Sequence, residues 1–531
     1  MLTRLKVSGF KNLIDVDVRF GPFTCIAGAN GVGKSNLFDA ITFLSALADR
    51  SIMDAAMSVR DEGGHSTDIR SLFHRTRDGY DDTISFVAEM IISPSGLDDL
   101  GQHADASITV VSYSLKLRYH PGSDHYVGGQ IQVEEEELAH INIGDARERI
   151  GFPMSKDFKT SAIAGRRTSA FISSVIENGA MRIKQHQEGG QGRPKSYLAA
   201  TLPRTVLSRA DAAESPTALL VRNEMRSWRL LQLEPSALRA PDSFTAPSLL
   251  GANGSHLPAT LYRLGRTGEG QQQFLPFEGA DATSYTIFTQ VANRLAMLLG
   301  DVREVWVDRD DKRDLFTLYL RDRTGAAHPA RALSDGTLRF LALTTLSIDP
   351  HVTGVLCLEE PENGIHPARI PAMLDLLKSI AVDTNYGVDE ENPLRQVIIN
   401  THSPEVVKQI DRDDLLIADE IETVRGNDRF PRARFRWVAG TWRAQLDSDP
   451  HKHASLSDLL AYLNPVATEP GDSQYLPEET ESLLSSSATD SSAGYPTSPR
   501  SKGQRVIDMP AIQAYLWPAT HRDEAKDGAH S

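Results

Sequence analysis

The residues best suited to do chemistry lie in one short run, Gly28-Ala29-Asn30-Gly31-Val32-Gly33-Lys34-Ser35, followed by Asn36. Gly28, Gly33, Lys34 and Ser35 fill the fixed positions of a phosphate-binding loop, G-x-x-x-x-G-K-[ST]. Its glycines let backbone N–H groups curl around phosphate oxygens without Cβ clashes. Lys34 would reach the β- and γ-phosphates of a nucleotide, and Ser35 would hold Mg²⁺. The flanks are those the pattern needs. Phe23 to Ala27 reads as a buried strand. Asn36 to Leu47 reads as a helix with Leu37, Ile41, Leu44 and Leu47 on its apolar positions. The start of that helix adds positive potential at the same spot. Nucleotide binding by residues 28–36 is therefore expected.

Three further strings carry candidate chemistry. Leu333-Ser334-Asp335-Gly336-Thr337 opens a helix, where Ser334 or Asp335 could simply be an N-cap. The apolar run Val355–Leu358 ends in Glu359-Glu360. Adjacent residues on a strand point to opposite sides, so these two acids should have separate roles. A second apolar run, Gln396–Ile399, ends in Asn400-Thr401-His402-Ser403. Two such strands with helices between them indicate a parallel α/β core.

The elements that must position these groups can be followed along the chain. Residues 2–27 alternate as three strands, punctuated by Gly9 and Gly21-Pro22. A polar stretch, 49–80, reads as loop with short helical pieces. Strand patterns return at Thr83–Ile92, Ile108–Tyr119 and Tyr126–Val133. The acidic run Glu134–Glu137 reads as a solvated hairpin end without chemistry. The strand rhythm is lost over 138–240, which reads as helices and loops. Ser284–Leu299 is an amphipathic helix, Val302–Val307 and Leu315–Leu320 a hairpin, Leu338–Ser347 and Ala368–Ile380 helices. Beyond Ala418, Ile421–Val424 and Phe435–Val438 read as edge strands. Residues 465–505 are rich in Ser, Pro, Thr and Glu, as in a disordered tail. The apolar patch Ile507–Trp517 fits a docking peptide or an ordered helix cap equally well. Five segments follow: 1–135 and 284–420 as two lobes of one head, 136–283 as a mostly helical, basic insertion, 421–464 as an extension, and 465–531 as a tail.

At 531 residues the chain can bury a large core, and its net charge of −15 gives no global attraction to nucleic acid or anionic lipid. The balance reverses between 151 and 240, where fourteen Lys and Arg face seven Asp and Glu. Two readings stay open: contact with a DNA or RNA phosphate backbone, or a solvated face paired to the acidic body. Trp228, between Arg226 and Arg229, reads as a packed anchor. Cys25 and Cys357 read as buried small hydrophobes in a reducing cytoplasm. No run approaches eighteen apolar residues, and Met1–Asp17 is no signal peptide.

Taken together, Ser8–Leu13, the P-loop, Leu333–Leu341, Leu358–Pro367 and Asn400–Pro404 resemble the ABC-type ATPase head, in the branch that includes SMC, RecF and OLD-like proteins. The nearest likeness is to AAA-type ABC ATPases of bacterial defence and mobile-element loci, such as Septu PtuA and retron-linked ATPases. The likeness covers roughly 1–135 and 300–418. It implies a P-loop α/β head with a mixed sheet and an antiparallel lobe, ATP and Mg²⁺ as ligands, and hydrolysis of ATP to ADP and phosphate. By that resemblance Leu333–Thr337 is the signature, whose Ser334 and Gly336 face the γ-phosphate of ATP held by a second subunit. Glu359 stands where an Asp usually supports the Mg²⁺ shell. Glu360 polarises the attacking water, and His402 is the switch histidine. Asn363–Pro367 resembles the D-loop, with His366 in place of its usual Asp. No Q-loop glutamine is found between the P-loop helix and Thr83; His74 is a candidate substitute, and the Q-loop residue stays open.

The resemblance implies a head-to-tail homodimer with two ATP between the heads. ATP state would then gate an insertion that engages nucleic acid or a separately encoded effector, in phage defence. The alternative is a low-turnover regulatory module that restrains a separately encoded toxin or nuclease. An OLD-like nuclease domain in the same chain is disfavoured, because Asp411-Arg412-Asp413 matches its D-x-D only trivially. A transporter ATPase is disfavoured by the long insertion and by Ser8–Leu13.

Overall fold

A computed structural model describes residues 1–59, 68–77, 79–122, 129–188, 192–266, 282–426, 428–447, 449–463, 503–510 and 512–513. Its centre is a seven-stranded sheet in the order Arg229–Leu231, Gly354–Glu359, Arg395–Thr401, Phe23–Ala27, Leu415–Arg425, Asp428–Val438, His453–Ala454. The first five strands are parallel. Phe23–Ala27 and Arg395–Thr401 are buried at every residue, which is why they read as unbroken apolar runs rather than alternations. The register sets Glu359 beside Asn400 and Thr401 beside Ala27. Three strands therefore deliver their last residues to one edge, where α/β sheets bind ligands.

The two faces of this sheet have different cover. Val355, Cys357 and Ile398 point toward one core, and Leu356, Leu358, Val397 and Ile399 toward the other. The first core holds the P-loop helix, Lys34–Leu47, whose predicted apolar positions are all buried, with Phe38 and Phe43 besides. Phe43 meets Phe10 and Phe86 at centroid distances of 5.9 Å, which joins this helix to a second sheet. The second core holds the helices Asp335–Ile348 and Ile370–Ile380.

That second sheet is antiparallel and eight-stranded. Its order is Lys195–Leu198, Ala180–Gln185, Ile172–Glu177, Gln130–His140, Val110–His120, Thr83–Ile91, Leu2–Ser8, Val16–Arg19. The region expected to be helical therefore also carries sheet. It has helices at Ile143–Ile150, Lys156–Ala162 and Pro216–Arg226, but three of its strands extend the antiparallel lobe and Arg229–Leu231 edges the parallel sheet. Asn178-Gly179, both at positive φ, turn the hairpin between Ile172–Glu177 and Ala180–Gln185. The expected boundaries at 135, 283 and 420 fall inside Gln130–His140, Ala282–Leu299 and Leu415–Arg425. Ile421–Val424 and Phe435–Val438 belong to one long hairpin that continues the central sheet.

The acidic run is also corrected. Gln130–His140 continues through it with a bulge near Glu135, and Glu136 is fully buried. Its carboxylate accepts from the backbone N–H of Val206 (2.7 Å) and Leu207 (2.8 Å) and from Tyr113 Oη (3.2 Å). Burial outweighs these bonds and pushes the carboxyl up to about 7. Trp228 is a packed anchor, 3% exposed, with Nε1 donating to Glu224. Both cysteines are buried thiols, and burial pushes each of them up.

Most of the expected tail, 465–502, 511 and 514–531, lies outside the described residues, as do 464 and Tyr126. The described piece near 506 docks on the head. Val506 N–H donates to Ile410 O, Arg412 N–H donates to Gln504 O, and Val506 and Ile512 are fully buried.

Candidate active site

Lys34 is the first residue of its helix and 5% exposed. Its Nζ donates to the carbonyls of Gly28 and Ala29, both at 2.7 Å, so the ammonium closes its own loop. Burial pushes it down, while Glu360, Glu362 and Glu359 hold it up. All three carboxylates thus act on the P-loop lysine, as the strand ends require. Ala29, Asn30, Gly31 and Ser35 are exposed, and Val32 is half-buried. Gly31 and Gly33 take φ of 83° and 105°. A Cβ on Gly33 would stand 2.6 Å from Asn12 Oδ1, and one on Gly28 would stand 2.4 Å from Ala418 O.

Asn12 is a site residue whose job sequence reasoning missed. Its Nδ2 donates to Val32 O, its Oδ1 accepts from Asn36 at 2.9 Å, and its carbonyl accepts from Ala433 N–H. Beside it, Lys11 pairs with Asp39 of the P-loop helix at 2.8 Å. The Ser8–Leu13 string is thus the brace of the phosphate loop. Its only signal was that the string resembled the family.

Glu359 and Glu360 separate as the strand geometry demands. Glu359 accepts a hydrogen bond from Gln232 Nε2. Glu360 has φ 44°, a left-handed backbone that a non-glycine residue adopts at a cost. Its N–H is held by Asn400 O and Oδ1 at 3.2 and 3.0 Å. Its carboxylate is gripped from two sides, by His402 Nδ1 at 2.7 Å and Asn363 Nδ2 at 2.8 Å. Glu362, a further acid that sequence reasoning passed over, is 7% exposed and accepts from Thr401 Oγ1. Burial pushes its carboxyl up, and its Oε2 has no hydrogen-bond partner among the described residues.

Gln232 is a further polar residue beside the strand-end acids. It follows Arg229–Leu231, the strand paired to Gly354–Glu359, and so reaches the Glu359 carboxylate from the neighbouring strand. His74 is buried, with Nδ1 on Lys11 O at 2.7 Å and its ring against Phe430. Ser35 and Glu359 carry hard oxygens of the kind that would suit Mg²⁺ together with phosphates and water.

Leu333 is buried and Ser334 exposed. Ser334 Oγ caps the helix Asp335–Ile348 through Thr337 N (3.3 Å) and Oγ1 (2.8 Å). The cap reading and an outward-facing signature are therefore compatible. Arg239 donates to Leu333 O at 3.0 Å and pairs with Asp335, which pins the loop. Gly336 allows the D-loop-like turn to approach: its absent Cβ would lie 3.1 Å from Gly364 O. His366 is exposed and caps the turn after it through Ala368 N–H.

Half of the cations in the basic stretch are paired. Arg167, Arg182, Lys184, Lys195, Arg222, Arg226 and Arg239 all pair with carboxylates. Arg166, Arg193, Arg204 and Arg209 are exposed. Among the described residues no helix is long and apolar enough to cross a membrane.

Residues 203–408 match a family model described as AAA domain, putative AbiEii toxin, Type IV TA system, and residues 4–89 match one described as AAA domain. A 64-residue stretch is 34% identical to the DNA replication and repair protein RecF of Phocaeicola vulgatus, covering 12% of this chain and 17% of that protein. The chain thus spans under a fifth of that relative's length. Similar solved structures include an SMC head bound to the C-winged helix domain of ScpA (TM-score 0.42) and the SMC head domain from Thermotoga maritima (TM-score 0.33). Each is 12% identical, and each match covers 82% of this chain and 98% of the other. The P-loop and the parallel sheet whose strand ends gather beside it are a P-loop α/β fold, and residues 4–89 and 203–408 are similar to AAA domains.

Proposed function

We propose that the protein hydrolyses ATP to ADP and phosphate as a head-to-tail homodimer. The observation that carries this is the Glu360 carboxylate, aimed by His402 and Asn363 in the field of Lys34. Glu360 takes a proton from water as its oxygen bonds the γ-phosphorus and the β–γ bridging P–O bond breaks. Lys34 and the loop N–H groups stabilise the phosphate oxygens, and His402 keeps the carboxylate in line. Ser35 and Glu359 would hold Mg²⁺, which neutralises phosphate charge when bound. Ser334 and Gly336 serve the ATP of the opposite protomer. The exposed Ser334 supports this reading, because a cap residue alone need not face outward.

ATP state then gates residues 136–283 against a nucleic acid or a separately encoded effector in antiviral defence, in the cytoplasm. Exposed Arg166, Arg193, Arg204 and Arg209 support phosphate-backbone contact there. The test is turnover and mass of wild type and Glu360→Gln with ATP and Mg²⁺. Loss of turnover with a trapped dimer is expected; a monomer that turns over unchanged would sink the reading. A second reading, a slow module restraining a toxin, is favoured by the toxin–antitoxin description of the family model over 203–408. It requires wild-type turnover no faster than that of Glu360→Gln.

A further inference from the structure

A cavity of about 300 Å³ opens beside the signature loop, lined by Leu333, Ser334 and Thr337 on one side and by His328, Asp322 and Arg369 on the other. Arg369 ends the single turn Pro367–Arg369 that follows the D-loop-like Asn363–His366. Its side chain is exposed, and Nη2 donates weakly to Leu299 O at 3.4 Å.

Part of the charge around it is already matched. His328 is committed to Asp322 at 2.9 Å. Asp335, next to Ser334, is paired with Arg239. Asp301, on the same wall, forms no ion pair with Arg369, and among the described residues Arg369 has no carboxylate partner. A guanidinium with most of its five N–H donors unused thus shares a cavity with an exposed serine and the N-terminus of a 14-residue helix. That combination suits a phosphate group.

We propose that Arg369 is a trans-acting catalytic residue: in the head-to-tail pair it contacts the terminal phosphates of ATP held by the opposite protomer's P-loop. It adds a cation there as the γ-phosphoryl group leaves, while Lys34 serves the same phosphates in cis. This rests on the dimer reading above.

Complementation in mixed dimers tests it. Arg369→Ala alone should lose at least ~100-fold in turnover, with Arg369→Gln as a second probe, and Arg369→Lys should lose less. Full activity in Arg369→Ala and Arg369→Gln overturns the proposal. Lys34→Ala and Arg369→Ala, each inactive, are then mixed. A trans role leaves one site with both groups intact, so activity should return to about a quarter of wild type, the share of intact sites in a random mixture. A cis role returns none. The control mixes Lys34→Ala with Ser334→Arg. If the control recovers and the Arg369 mixture does not, Arg369 is not trans-acting and the dimer reading stands. If neither recovers, the dimer reading falls and takes this inference with it.

Discussion

His402 Nδ1 lies 2.7 Å from Glu360 Oε1, and the two residues come from the ends of neighbouring parallel strands. Glu360 leaves its strand with a left-handed turn, φ 44°. A residue held that way loses its aim when its partner is removed. His402→Ala should therefore lower turnover roughly 10²-fold with ATP affinity little changed, and Glu360→Gln should lower it at least as far. Single-turnover kinetics beside equilibrium nucleotide binding would check both. Weakened binding with unchanged chemistry would contradict the assignment.

Gln232 donates to Glu359, so the acid proposed to hold Mg²⁺ is contacted by a residue 127 positions away in sequence. Gln232→Glu places a second anion against it. The expected result is a steeper Mg²⁺ requirement than that of Gln232→Ala, read from ATPase activity across a Mg²⁺ titration. Equal curves for the two variants would remove Gln232 from the metal side.

Gly33 combines φ 105° with a side-chain direction blocked by Asn12 at 2.6 Å. Gly33→Ala should cost ~1–3 kcal/mol of strain, felt as roughly tenfold to hundredfold weaker ATP binding. Asn12→Ala should weaken binding less, since it opens space while losing the brace. Calorimetric titration with ATP would rank the two.

Glu136 predicts a pH dependence of folding. Its carboxyl rises from 4.5 to about 7 in the folded chain, so the folded state holds the proton more tightly. That stabilisation is complete below pH 4.5 and is lost as pH rises through 7. The fall is on the order of 3 kcal/mol at most. Urea unfolding at pH 5 and pH 7.5 should show this slope in the wild type and a flatter one in Glu136→Gln.

Val506 and Ile512 anchor a segment onto Ile410 and its neighbours, just past the helix that follows His402. Val506→Asp should cost ~2–4 kcal/mol through an unpaired buried charge. The check is earlier proteolysis within 503–513 and a lower melting temperature.

The parts of the site that were legible in the chain are those compressed into short strings at the ends of apolar strands: Lys34, Glu359, Glu360 and His402. Gln232 was not, because Arg229–Leu231 is too short to show a period and becomes a strand only by pairing with Gly354–Glu359. Glu136 was hidden by a bulge, since a four-residue acidic run carries no mark of which member turns inward. The hairpin at Asn178-Gly179 did carry its turn signal, but the flanking strands are half-exposed and lack a clean alternation. Arg369 stands out only once the cavity gathers it with Ser334.

The neighbours of Phe23–Ala27 in the central sheet are Arg395–Thr401 and Leu415–Arg425, which the ribosome makes far later. At ordinary synthesis speeds the nascent chain carries that sticky strand for on the order of 20 to 70 s before either can close over it. The cleft beside Lys34 thus cannot mature before residues 395–401 have been made. A truncated product ending before residue 395 would expose this strand to aggregation and to chaperone capture.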